Sequence, residues 1–214
     1  MKNTTTARRL LAGAAAALCV ALGVGPAGAT GNSVTVAVGG TSAQALHPVT
    51  AMTTGSVSWA VPTLALGCTG ARIPASPVSA VRGGTGVTEV LDLRAMQFIG
   101  CSWPGGAFTT TVPAPSALHV TAPVSGGSVD VVRGHLDNFS ITMSNAVCDF
   151  TATGSARVAF NESTQQLAIE ETVFTGNLTI SNVRGCLGQV RNGQAMNLTM
   201  NLQVNSPDGS INIS

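Results

Sequence analysis

Apolar and polar positions alternate along this chain with a period of two. The clearest case comes near the end, where Met196, Leu198, Met200, Leu202 and Val204 share one face and Asn197, Thr199, Asn201 and Gln203 the other. A 3.6-residue period would scatter both sets, so the pattern predicts a half-buried strand and not a helix. Pro207-Asp208-Gly209 then reads as a turn into Ile211 and Ile213, predicting a terminal hairpin. Val34, Val36 and Val38 make a shorter alternating run between glycines, followed by a loose connector up to about residue 58. Ser56 to Leu66 is apolar but broken by Pro62, which confines it to an edge or to two short strands.

Further β runs follow at Val87–Leu93, Met96–Ile99, Phe108–Val112, Ala117–Thr121, Ser128–Val132 and Asn138–Met143. They are punctuated by Pro113, Pro115, Pro123, Gly126, Gly127 and Gly134. Turn signals every eight to twelve residues are the mark of an antiparallel all-β protein. Eleven to thirteen such runs can hide their apolar faces as two packed sheets or as one closed sheet. The predicted fold class is therefore all-β, an antiparallel β-sandwich or closed β-barrel stabilised by two disulfides. With few aromatic residues, its core is expected to consist of Val, Leu, Ile, Met and Ala.

Composition changes this picture at the N-terminus. Lys2, Arg8 and Arg9 precede an apolar stretch from Leu10 to Val24, and Ala27-Gly28-Ala29 supplies small residues for cleavage after Ala29. The expected organisation is a signal peptide over 1–29, an N-terminal strand and loose connector over 30–55, and a single all-β domain over 56–214. The apolar core of the leader is too short to span a membrane, so no transmembrane anchor is expected after its removal. Residues 30–214 carry seven Arg, no Lys and nine acidic side chains, a formal charge of −2, which leaves no basic patch for nucleic acid.

Four cysteines remain beyond the leader: Cys68, Cys101, Cys148 and Cys186. An even number behind a leader of this kind reads as two disulfides. Zinc sites need close cysteine pairs, and here the nearest two are 33 residues apart. Three connectivities are open. Cys68–Cys101 with Cys148–Cys186 is favoured because both segments read as cysteine, then T-G-(S)-A-R, then an acidic-tipped β run, then Gly-Cys. That echo suggests a weak internal duplication.

The chain contains no nucleophile-elbow, zincin or phosphate-loop motif, and no cofactor or metal is expected. His135 and Asp137 would share one face of a strand, and with His119 could form a base with an orienting carboxylate or a two-ligand metal site. The simpler reading is a solvated turn after Gly134. Glu170 and Glu171 are adjacent carboxylates, but strand neighbours point to opposite faces and cannot work as an acid–base pair in one layer. Asp208-Gly209 lacks the D-x-D spacing of a calcium loop. Trp59 reads as a core or rim aromatic, with carbohydrate stacking as the alternative. The sequons at Asn138, Asn161, Asn177 and Asn197 read as strand polar faces.

Ile99-Gly100-Cys101, Asn161-x5-Leu167-x-Ile169 and Gly185-Cys186-Leu187-Gly188, behind an Ala-rich leader, resemble a group of small exported actinobacterial proteins with four cysteines. The likeness spans roughly Cys68 to Val204 and departs at the end, where an aromatic strand gives way to Met196–Val204. The resemblance implies a secreted all-β domain with two disulfides and brings no activity. The expected function is that of a secreted or cell-envelope, non-catalytic binding or structural module with a cell-wall or surface partner. The alternatives are a carrier of an apolar ligand in a barrel cavity and a hydrolase using His135, Asp137 or His119.

Overall fold

The computed structural model describes residues 32–103, 106–113, 115–121, 130–172 and 177–214. The proposed leader and the Pro- and Gly-rich stretch 122–129 lie outside them. The described residues form nineteen antiparallel strands: β1 (Val34–Val38), β2 (Leu46–Thr53), β3 (Val57–Val61), β4 (Leu64–Cys68), β5 (Gly70–Ile73), β6 (Ser79–Arg82), β7 (Gly84–Val87), β8 (Leu91–Leu93), β9 (Gln97–Ile99), β10 (Ser102–Trp103), β11 (Gly106–Ala107), β12 (Thr109–Thr111), β13 (Ser116–Val120), β14 (Val131–Ser144), β15 (Cys148–Asn161), β16 (Gln166–Glu171), β17 (Leu178–Gly185), β18 (Asn197–Asn205) and β19 (Ile211–Ile213). The only helical element among them is a 3-10 turn at Cys186–Gly188.

Eight strands close into a barrel in the order β2-β6-β8-β13-β14-β15-β16-β18. Closure comes from β18 returning to β2, with Leu202 opposite Thr53 and Asn205 opposite Thr50. Closure removes the sheet edges that an open sheet must otherwise protect. Of the two expected architectures, the structure takes the barrel. Its lumen is filled by the inward faces of the strands. Met196, Leu198, Met200, Leu202 and Val204 are all buried, as the alternation requires, and Leu136, Ile169 and Leu202 are fully so. A pocket of about 30 Å³ lies within the barrel, lined by apolar side chains including Val49, Val81, Leu118, Phe160, Ile211 and Ile213. That is room for about one water. β19, β1 and β7 form a separate three-stranded sheet, and Ile211 and Ile213 carry it over that end of the barrel.

The long β14–β15 hairpin serves two layers. Midway along it Asp137 and Asn138 together oppose Ser155, a bulge with Asn138 at φ 57°. Before the bulge the pair belongs to the barrel. Beyond it, β14 pairs with β12 and β15 with β17. Here, with β3, β4, β9 and β10, the same hydrophobic core continues around aromatic rings. Trp59 meets Phe98 edge-on at 5.0 Å, Trp103 meets Phe108 at 5.3 Å, and Phe108 meets Phe150 at 6.4 Å. The expectation of a core of aliphatic and small residues alone is corrected here, because Trp59, Trp103, Phe108, Phe139, Phe150 and Phe160 are all buried in it. Trp59 is fully buried, which leaves it no face for a sugar.

Both disulfides join the favoured pairs, Cys68–Cys101 and Cys148–Cys186. Each clasps an antiparallel pair just beyond its last rung: β5 on β9, with Gly70 opposite Ile99, and β15 on β17, with Cys148 opposite Gly185. Cys68, Cys101 and Cys186 lie off the eight barrel strands, and Cys148 lies on the part of β15 beyond the bulge, where it pairs with β17. The suggested duplication extends only to this clasp. Gly70 follows its cysteine by two residues and Gly154 by six, and the strands between the cysteines differ.

Four further expectations change. Residues 46–53 are no connector but barrel strand β2. The alternation was masked because the inward positions are His47, Val49 and Ala51 while Leu46 and Met52 face solvent. The run Val87–Leu93 is interrupted, ending β7 at Val87 and resuming as β8 at Leu91. Gly134 is not a turn. It lies mid-strand, where a Cβ would sit 2.2 Å from the His119 carbonyl oxygen, so glycine allows β13 to approach. β19 follows the expected turn but makes no hairpin with β18. It pairs instead with β1, Val36 opposite Ile213.

Candidate functional site

The strands that fill the lumen with apolar side chains turn their polar alternates outward. On β18 these are Asn197, Thr199, Asn201 and Gln203, on β15 Arg157 and Asn161, and on β14 Arg133, His135 and Asp137. A membrane-spanning barrel has the reverse arrangement, an apolar outer band around a polar interior. No helix of the described residues is long and apolar enough to cross a membrane. Any chemistry on the barrel is therefore sought on its outer wall.

The structure brings the predicted His119, His135 and Asp137 together there. His119 lies opposite His135 across β13–β14, and the bulge turns Asp137 toward His119, with Oδ2 3.7 Å from Nε2. His119 donates through Nδ1 to the Thr88 carbonyl at 2.9 Å, so its tautomer is set by the backbone. His135 Nδ1 is buried without a hydrogen-bond partner. His135 and Asp137 both lie within strand β14, Asp137 at its bulge, and the expected solvated turn is corrected accordingly. No hydroxyl or thiol among the described residues is hydrogen-bonded to any of these imidazoles. No group of three or more His, Cys, Asp or Glu stands ready for a metal among them.

Beside His135 lies a groove of about 250 Å³, lined by Thr121, Arg133, Gly134, His135, Arg157, Val158, Ala159 and Glu170. Arg133 faces Ala159 across β14–β15, and the small side chain of Ala159 keeps the floor of the groove low. His135 faces Arg157 in the adjoining row. A second, more open concavity of about 470 Å³ lies between the start of β2 and the segment 82–89, where Arg82 and Glu89 bring one charge of each sign.

Glu170 and Glu171 point to opposite faces, as strand geometry demands. Glu170 is exposed at the groove, whereas Glu171 is fully buried and accepts from the Arg157 backbone N–H at 3.0 Å. It serves the fork where the edge of β15 passes from β16 to β17 and no strand can supply the acceptor.

Two ionisable clusters escaped sequence reasoning. Buried His47 on β2 holds Asp208 through Nδ1 at 2.8 Å, and Gly83 lies so close that a Cβ there would come within 2.9 Å of Nε2. Asp208 is therefore the anchor of the turn that carries β19 across the barrel end. On the other side of β19, the β15–β16 turn supplies side chains in place of a strand. Gln165 donates to the Ile211 carbonyl at 2.9 Å and accepts from its N–H at 2.8 Å. Glu162 accepts from the Ile213 N–H and, at 2.8 Å, from the Asn212 amide. Burial, with the neighbouring Asp130 carboxylate, pushes Glu162 up from 4.5 to about 7, against the pull of the Ile213 N–H. Asp130 Oδ1 is buried without a donor when both groups are ionised, and a proton on Glu162 supplies one.

No protein-family model, curated protein or solved structure matches the chain. Of what the cysteine-motif resemblance implied, the structure shows the all-β architecture and the two disulfides.

Proposed function

We propose that this chain is an exported, non-catalytic binding module of the medium or cell envelope, working through the outer wall of its barrel. One observation carries the reading. The apolar pocket within the barrel measures about 30 Å³, while concavities of about 250 and 470 Å³ lie on the outside. Ligand sites usually offer several hundred Å³, so the larger outer concavities favour the outer wall over the interior as the working surface. The leader-like N-terminus, the two disulfides and the membership of the small exported actinobacterial group suggested by the G-C motifs all point to a compartment that oxidises thiols.

The test is cell fractionation followed by sedimentation with isolated envelopes. The reading expects the chain outside the cytosol, both bridges formed, and saturable co-sedimentation without chemical change to the envelope. A cytosolic chain with free thiols, or released envelope fragments, would contradict it.

A further inference from the structure

Arg133 and Arg157 root on the same outer face of adjacent strands, diagonally related through the pairs Arg133–Ala159 and His135–Arg157. A diagonal of this kind separates the stems by roughly 7–8 Å. Between them the wall dips over alanine, and the resulting groove of about 250 Å³ accommodates one sugar-sized group. Neither guanidinium has an ion pair or hydrogen bond among the described residues. Glu170 lies across from Arg157 by continuation of the Val158–Ile169 register, yet no ion pair joins them.

Two unpaired guanidinium forks flanking a concave floor, on a chain whose residues 30–214 carry a formal charge of −2, are a local reversal of sign. Guanidinium forks match the paired oxygens of a carboxylate or phosphate. Glu170 and Thr121 at the rim offer acceptors for hydroxyl groups.

We propose that this groove binds a small hydroxylated anion, a sugar or polyol bearing one carboxylate or phosphate held between Arg133 and Arg157. The proposal rests on the reading of the outer wall as the working surface, and it names the ligand class for that surface.

The experiment is an amide-resolved NMR titration of the full chain with both disulfides intact, using glucuronate, glucose 6-phosphate and neutral glucose as probes. At least one anion is expected to shift the amides of residues 133–135 and 157–159 saturably, and glucose to leave them unmoved. The two anions separate a carboxylate ligand from a phosphate one. Arg133→Gln and Arg157→Gln should each weaken binding by about 10- to 100-fold, the loss of one charge-assisted contact. Arg94→Gln, at an arginine already paired with Asp92, should leave it unchanged. Ala159→Leu, which fills the floor without altering charge, should also abolish it.

Anion shifts absent in the wild type, equal for glucose, or intact in both arginine variants would overturn the proposal. Saturable envelope binding that survives those variants would overturn the groove alone. Chemical turnover of a probe would overturn the underlying reading.

Discussion

Glu162 should make the stability of this protein fall as pH rises through neutrality. Its carboxyl sits at 8 % exposure between the Ile213 N–H, the Asn212 amide and Asp130. Its affinity for a proton rises from 4.5 to about 7 on folding. The folded state therefore holds the proton more tightly than the unfolded state over that interval. The stabilisation is complete below pH 4.5 and is lost as pH rises through about 7. At about 1.4 kcal/mol per pH unit the full swing is about 3 kcal/mol. In urea, with a slope of about 1–3 kcal/mol per molar, it corresponds to a midpoint shift of about 1–3 M. The perturbation is Glu162→Gln, whose carbonyl keeps the acceptor for Ile213 and whose amide presents a permanent donor to Asp130; the acceptor for Asn212 is given up at every pH alike, so it does not enter the pH dependence. The assay is equilibrium urea unfolding of both proteins at pH 4 to 8, with disulfides intact. Other carboxylates and the histidines titrate in both proteins, so the difference between the two curves is the quantity to read. The variant should gain on the wild type by about 3 kcal/mol between the ends of the range. Parallel curves, or a wild type that gains on the variant as pH rises, would refute the reasoning.

Gly134→Ala should cost about 3 kcal/mol or more, because its Cβ would lie 2.2 Å from the His119 carbonyl oxygen. Gly40→Ala meets nothing within 4 Å and should show only the backbone cost of its φ of +82°, about 1–2 kcal/mol, by the same urea titration. Replacing Cys148 and Cys186 by Ser should remove about 4 kcal/mol by releasing a closed loop of 38 residues. Non-reducing peptide mapping of the wild type should show Cys68–Cys101 and Cys148–Cys186 and no crossed pair. Gln165→Ala strips two hydrogen bonds from Ile211 and should lower stability by about 1–3 kcal/mol. Hydrogen exchange should show the Ile211 and Ile213 amides opening faster while β18 stays protected; unchanged protection would exclude the stitch.

What the sequence made legible was local. The two-residue period of Met196–Val204, the break at Pro62 and the opposed faces of Glu170 and Glu171 need only strand geometry, and each appears as read. The cysteine pairing was read from the echo between the two cysteine segments, and both favoured bridges are present although the strands inside them differ. What stayed hidden depends on partners far along the chain. Barrel closure joins β18 to β2, and β2 carries Pro48 and outward Leu46 and Met52, so nothing in its alternation marks it as a wall. His47 meets Asp208 161 residues away, and Gln165 meets Ile211 46 residues away. Gly134 misled for another reason. Its glycine answers to the His119 carbonyl of the neighbouring strand, not to a bend in its own. The candidate site was half legible: His119, His135 and Asp137 were read as chemistry, whereas Arg133 and Arg157 join them only through the β14–β15 register.

Closure of the barrel by β2 and β18 is what leaves the outer wall as the proposed working surface. Cross-strand NOEs between these strands, measured on labelled protein in solution, test that closure directly. Contacts linking Ala51 with Val204 and Thr53 with Leu202 are predicted, alongside those linking Leu167 with Leu202 on the other edge of β18. The β16–β18 contacts without any between β2 and β18 would mean an open sheet with an accessible interior, and would contradict the account.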